Sequence, residues 1–226
     1  TVGYEENLPG EDYPTHGHAD GFYFNVAKGR ILHEYQMLYV KDGGGVFKSQ
    51  SLGEVELCSG DIFLLFPDEW HSYHPNDNTG WKCYWLGFKG RNMDDRVNAD
   101  FLSPEHPIYH VGYSSEIIRM LDMALHVADE EAIHSQQVLA GITNYLIGLM
   151  YSLESCNQLQ QNFVHTDIVN RARQMIRETL EDGTTIQEIA MRLGMSYSKF
   201  RKIFKEFTGF SPSMYQQDLK LQRAKD

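Results

Sequence analysis

The stretch at 184–212, TTIQEIAMRLGMSYSKFRKIFKEFTGFSP, constrains this chain more than any other. Ile186, Ile189, Ala190 and Leu193 recur at i, i+3, i+4 and i+7, and Phe200, Ile203, Phe204 and Phe207 repeat the spacing, so two short helices each bury one stripe. Thr185 and Glu188 have the spacing of a capping box for the first helix, Ser196 is placed to cap the second, and Gly194 and Gly209 allow the turn between them and the stop after them. With the phenylalanine stripe turned inward, Ser198, Arg201, Lys202 and Lys205 fall on the outer face of the second helix, with Lys199 nearer its edge. That face carries no acid before Glu206. Such a helix can reach guanine edges in a major groove and the flanking phosphates. An ordinary helical hairpin with a solvated basic face has the same periodicity, so the pattern alone leaves both readings open.

The segment FKEFTGFSPSMY narrows the choice. Phe204, Lys205, Gly209, Ser211, Pro212 and Tyr215 resemble the pattern that closes the first helix-turn-helix of the AraC/XylS family of bacterial transcription regulators. The resemblance extends upstream through Ala190, Gly194 and Ser196, and downstream to Arg223 and Ala224. It implies sequence-specific DNA binding and a second helix-turn-helix joined by a long helix. The chain reaches Asp226 without that second unit, and a truncated protein is the expectation. Each lost base-pair readout is worth ~1–3 kcal/mol, so the fragment is expected to bind its operator less well than a protein with both units.

Charge is distributed as such a division requires. The net charge of −11 is unsuited to a nucleic-acid binder taken whole. Residues 1–162 hold 9 Lys and Arg against 23 Asp and Glu, however, and residues 163–226 hold 11 against 8. An acidic module that does not touch DNA, joined to a basic one that does, fits these numbers. Cys58, Cys83 and Cys156 are too few and too far apart for a disulfide framework or a zinc cluster. No apolar run approaches membrane-spanning length and no signal peptide opens the chain, so the expected location is cytoplasmic, with no membrane partner. The chain opens at Thr1 without an initiator methionine, and a fragment is the expectation.

The first hundred residues read as strands. Gln36 to Val40, a turn at Asp42-Gly43-Gly44-Gly45, and Val46-Phe47 suggest a hairpin; Glu54 to Leu57, a turn at Gly60-Asp61, Ile62 to Phe66 and Tyr84 to Phe88 add further strands. Short strands punctuated by glycine argue for a sandwich or barrel with a lumen. GDIFLLFPDEWHSY resembles the cupin-type effector domain that many AraC/XylS regulators carry ahead of their DNA-binding domain. The expected fold is therefore α+β: a cupin-like β-barrel or jelly roll over residues 1–100, a helical dimerisation segment over 101–156, a linker over 157–165, and an all-α helix-turn-helix segment over 166–226.

Candidate ligand groups lie among the aromatics. Trp70, Tyr73, Trp81, Tyr84 and Trp85 fall close together, and flat rings stack on the apolar faces of sugars while polar neighbours take the hydroxyls. Core filling explains any single one of them equally well. Alternation puts Cys83, Trp85 and Gly87 on one face and Tyr84, Leu86 and Phe88 on the other. The resemblance implies more: Tyr73 and Trp85 match positions that contact the sugar in arabinose-responsive members. Cys83 falls where those members have a histidine, and Lys41 or Asp42 where they have an arginine. Two altered contacts of four argue against arabinose and leave a small polar effector, with a carbohydrate the expected class. His71, Arg30 and His33 complete the candidate set. His16 and His18 share a strand face and, with His71 and His74, could be metal ligands. The glutamate of metal-binding cupins is missing, since Ala19 to Tyr23 offers only Asp20, so no metal and no cofactor are expected.

After Phe101 the period changes. Ile117, Ile118, Leu121, Ala124, Leu125 and Ala128 mark one amphipathic helix, and a longer one runs from about Ile133 to Leu153. In the latter, Leu139, Ile142, Leu146, Leu149 and Leu153 form an a/d seam, widened by Val138, Tyr145 and Met150. The seam is the candidate homodimer surface, as the resemblance implies, and a stripe this wide also suits packing on the barrel. Asn157 to Asn162 reads as a linker, and Thr166 or Asp167 as the cap of a helix bracing the helix-turn-helix. The expected function is an effector-responsive, DNA-binding transcription regulator and not an enzyme. A metal-dependent cupin enzyme with an accessory helical domain is the alternative from another class, and a ligand-binding protein whose helical end contacts protein is a third.

Overall fold

The computed structural model describes residues 1–14, 24–130, 133–180 and 182–223, with the backbone alone at 160–162. His16 and His18, the candidate metal ligands, lie outside the described residues. In chain order the elements are β1 (Val2–Asn7), β2 (Arg30–Ile31), β3 (Tyr35–Ser49), β4 (Gly53–Cys58), β5 (Asp61–Leu65), β6 (Trp70–Pro75), β7 (Trp81–Phe88), α1 (Arg91–Asn98), β8 (Ile108–His110), α2 (Ser115–Asp129), α3 (Ser135–Glu178), α4 (Ile186–Arg192), α5 (Tyr197–Thr208) and α6 (Pro212–Arg223).

β3 organises the N-terminal unit. Its first half pairs antiparallel with β7 and β5, which are flanked in turn by β1 and β8. Its second half pairs with β4 and β6, and β2 lies beyond β6. The glycine run expected to turn a hairpin at Asp42–Gly45 is instead the middle of this strand. A Cβ on Gly43 would fall 2.2 Å from the Gly80 carbonyl oxygen, and one on Gly45 2.5 Å from that of His74. Glycine is needed there because β3 passes from one set of neighbours to the other at close backbone approach. A register shift between Val40 and Asp42 accompanies the crossing.

Two apolar layers follow from strand alternation. Leu38, Val40, Phe63, Leu65 and Cys83 meet Phe47, Leu57 and Tyr73 in the interior of the strand assembly. On the opposite face Met37, Tyr39, Ile62, Leu64, Tyr84 and Leu86 pack against Ile117, Leu121 and Ala124 of α2 and Ile142, Leu146, Ile147 and Met150 of α3. This changes the reading of the candidate dimer seam. Ile142 and Leu146 are buried in their own subunit, and Leu139, Leu149 and Leu153 are half-buried against the same cluster. The stripe was too wide for a seam because it is the helix's inward face.

The chain separates into two compact units, Thr1–Ser155 and Cys156–Asp226. The segment expected as a linker, 157–165, is helical, and Thr166 and Asp167 lie inside α3 rather than at a cap. Polar residues without glycine or proline do not break a helix. The second unit has its own core, in which Val169, Ala172 and Ile176 of α3 pack against Ile186, Ile189 and Ala190 of α4 and Phe200, Ile203 and Phe204 of α5. Its caps are those the sequence predicts. The Thr185 hydroxyl accepts from the Glu188 amide at 3.2 Å while the Glu188 carboxylate accepts from the Thr185 amide at 2.7 Å. The Ser196 hydroxyl accepts from Lys199 N, and Gly209 closes α5 at φ 79°. No helix among the described residues is long and apolar enough to cross a membrane.

Candidate ligand pocket and nucleic-acid interface

β1 supplies one wall of a pocket inside the strand assembly. Pairing with β7 sets Gly3 opposite Trp85, Glu5 opposite Cys83 and Asn7 opposite Trp81. A Cβ at Gly3 would lie 2.0 Å from a Trp85 ring carbon and would push the ring aside, so the indole rests directly on the β1 backbone. Glu5 Oε1 accepts from Trp81 Nε1 at 3.1 Å, and the same indole N–H reaches Asn7 Oδ1 at 3.2 Å. Burial pushes the Glu5 carboxyl up from 4.5 to about 7, against hydrogen bonds from Trp81 and Tyr13 and the charge of Arg30.

Arg30 supplies the opposite charge. Its Nη2 donates to the Tyr73 hydroxyl at 2.5 Å, its Nε points to His71 Nε2 at 3.4 Å, and its guanidinium lies 4.4 Å from the Phe24 ring centre. His71 is buried, and its Nδ1 faces the Glu69 carbonyl at 3.0 Å. That carbonyl requires Nδ1–H and leaves Nε2 as the acceptor for Arg30. Burial first, then the Arg30 charge, lowers this imidazole to about 4, so it stays neutral at physiological pH. Burial raises the Tyr73 and Tyr13 phenols, which remain protonated donors.

A cavity of about 20 Å³, open in part to solvent, lies between these groups, so anything larger than a water enters only as the lining side chains give way. It is lined by Phe24, Trp85, Leu38, Tyr13, Tyr73, Gln36, Glu5 and Arg30. Of the candidates read from sequence, Tyr73, Trp85 and Arg30 line it, and His71 stands behind Arg30. The other three are placed elsewhere. Cys83 is fully buried in the core, its thiol raised by burial. His33 is exposed and joined to Asp68 at 2.6 Å, and Lys41 lies 5.8 Å from the Tyr4 and Tyr84 ring centres, with Tyr84 in the helix-facing layer. Glu5, Tyr13, Phe24 and Gln36 escaped the sequence reading. Alternation of Gly3, Glu5 and Asn7 was the signal for the first, and nothing local marked the others. His74, the remaining histidine considered for metal, has Nδ1 2.9 Å from the Pro75 carbonyl.

In the second unit α5 exposes Ser198, Lys199, Arg201, Lys202 and Lys205 while burying Phe200, Ile203 and Phe204. Phe207, expected inward, is 36% exposed and meets His165 edge-on at 5.8 Å. The basic face therefore stands on a capped helix anchored by its buried side, as a reader of nucleic acid requires.

A sheet domain with an internal polar pocket and a basic helix-turn-helix define a ligand-binding transcription regulator, and the comparisons agree. Residues 1–141 match the AraC-like ligand binding domain, and residues 176–217 match the bacterial regulatory helix-turn-helix proteins of the AraC family. The chain belongs to the AraC family of transcription regulators, which are not enzymes. It is 26% identical over 201 residues to the lactose operon transcription activator of Staphylococcus xylosus, covering 86% of this chain and 68% of that protein. It is 25% identical over 207 residues to the raffinose operon transcriptional regulatory protein of Pediococcus pentosaceus, covering 89% and 71%. Among solved structures it is similar to ToxT from Vibrio cholerae O395, with 13% identity, coverage of 96% and 97%, and a TM-score of 0.42.

Proposed function

We propose that this regulator senses a small polar molecule of the carbohydrate class in the pocket of its N-terminal unit. The carrying observation is that Trp85, Tyr13, Tyr73, Gln36 and Arg30 line one internal site, with Arg30 donating to the Tyr73 hydroxyl. Such a set stacks on a sugar ring and hydrogen-bonds its hydroxyls. The relatives support the same class, because two of them are named for the lactose and raffinose operons. Tyr73, Trp85 and Arg30 contact the ligand in this reading, and His71 orients Arg30.

DNA is read by α5 through Arg201 and Ser198, with Lys199, Lys202 and Lys205 on phosphates, in the cytoplasm. The active species is a homodimer, so that paired half-sites mirror its symmetry. Its contact is the outer edge of α3 rather than the buried stripe, since Val138 and Tyr145 are each 48% exposed beside the packed face. Ligand acts by favouring one dimer arrangement over another.

A thermal-shift screen of the chain against lactose, raffinose, galactose and glucose tests the sensor reading. One or more sugars should raise the melting temperature, and Trp85→Ala should weaken that sugar's affinity by about tenfold, the equivalent of ~1.4 kcal/mol. Stabilisation by none of them, or an unchanged response in Trp85→Ala, refutes it.

A further inference from the structure

The pocket carries two opposite ionisable groups, and their placement restricts what can enter. Arg30 alone would make the site a receptor for anions, because a guanidinium over an aromatic ring beside phenolic donors suits a phosphate or carboxylate. Glu5 changes that. It projects from β1 into the same pocket, and Trp81 and Tyr13 hold its carboxyl in place. A cation in the pocket would meet Arg30, and an anion would meet Glu5.

We propose that the pocket admits uncharged polyhydroxylated rings, with Glu5 accepting ligand hydroxyls across from Arg30 and turning away sugar acids and sugar phosphates. This rests on the carbohydrate reading above and adds the residue that sets the ligand's charge. In bulk water a carboxylate is a weak filter. Beside a largely buried carboxylate, a second carboxylate a few ångströms away is repelled more than it would be in water, whereas a ligand hydroxyl donates to the same oxygens. Arg30 lies close enough to act on Glu5 electrostatically, so once the Glu5 carboxyl is ionised the two together present one donor and one acceptor pole with no net charge between them. A neutral ring with hydroxyls on both edges matches that pair. An effector screened in this way reports the sugar before phosphorylation or oxidation has made it anionic.

The test is binding of matched probes to the 226-residue chain: galactose against galacturonate, and glucose against glucuronate, by calorimetry at about pH 8, where the Glu5 carboxyl is ionised. The neutral member of a pair should bind, and its acid at least about tenfold more weakly. In Glu5→Gln the acid should gain about tenfold relative to its neutral partner. A second readout uses the unmutated protein. At about pH 6 the carboxyl takes up a proton, the hexuronates remain anionic, and discrimination should shrink. The described groups facing Glu5 are Asn7 on its own strand, Tyr13, Arg30, Tyr73, Trp81 and Cys83. None of these changes charge between those pH values, and His71 is already neutral, so the change reports Glu5. Equal binding of acid and neutral sugar to the unmutated protein, or discrimination unaltered by both mutation and pH, overturns the proposal and leaves the carbohydrate reading standing. Binding of no probe, neutral or acid, overturns this proposal, and when lactose and raffinose also leave the melting temperature unchanged the carbohydrate reading falls with it.

Discussion

Glu5 in the pocket and His71 behind it are shifted in opposite senses. Glu5 is raised from 4.5 to about 7 by burial, so the folded protein holds a proton that the unfolded chain releases. Its contribution is complete below pH 4.5 and is lost as pH rises through about 7. His71 is lowered from 6.5 to about 4 by burial, so the unfolded chain takes up a proton that the folded protein refuses. Its contribution is complete above pH 6.5 and is lost as pH falls toward 4. Over about pH 4.5–6.5 the two slopes oppose, which flattens the stability of the N-terminal unit. Glu5→Gln removes one of them. Its stability should rise with pH across that window, and above pH 7 it should exceed the unmutated protein by up to ~3 kcal/mol, the worth of a shift of this size. Urea titrations followed by tryptophan fluorescence at about pH 5 and pH 8 measure this. Parallel pH profiles for the two proteins would remove Glu5 from the account.

At the scale of the element, the helix-turn-helix and the strand assembly differ in how much of them a sequence can declare. Thr185 with Glu188, Ser196 with Lys199, and Gly209 act across three residues or fewer, so the boundaries of α4 and α5 were legible from one short window. The exposed basic face of α5 was legible for the same reason, and it supports a division of labour. Arg201→Ala should lose discrimination between operator and random DNA. Lys205→Ala should weaken both alike and lower the salt slope by ~1. Binding titrations at several salt concentrations separate the two, and equal losses on both DNAs for both variants would refute the assignment. The strands are another matter. Gly43 to Gly45 carry a turn signature, yet the partners that require glycine, Gly80, Leu57 and His74, lie far along the chain. The pocket suffers the same blindness. Tyr73 and Trp85 were legible through family resemblance, whereas Glu5 acquires its role only from a register that sets it opposite Cys83. Cys83 shares a face with Trp85, two residues on, yet lies in the core, because alternation gives the face and not the depth.

At the scale of the whole molecule, two cores that share no buried residue imply two unfolding events. The first unit holds the two apolar layers around β3, and the second holds the cluster centred on Phe200 and Phe204. All three tryptophans, Trp70, Trp81 and Trp85, belong to the first unit, so indole fluorescence reports it alone, while far-ultraviolet circular dichroism is weighted toward the helices of both. The second unit is small, and a domain of its size has little stability to spare. Phe200 is fully buried and meets Phe204 at 5.6 Å between ring centres. Its replacement by alanine should cost ~3–5 kcal/mol, enough to unfold the helix-turn-helix near room temperature. The expected result for Phe200→Ala is a loss of helical signal and of DNA binding, with the tryptophan transition and the sugar-induced shift of the first unit unchanged. That outcome would mean the sensor folds and binds without the reader, and that ligand reaches the DNA only through the arrangement of two independently stable parts. A tryptophan transition that falls together with the helical one would instead make the two units a single cooperative structure, and would place the coupling in their folding rather than in their assembly.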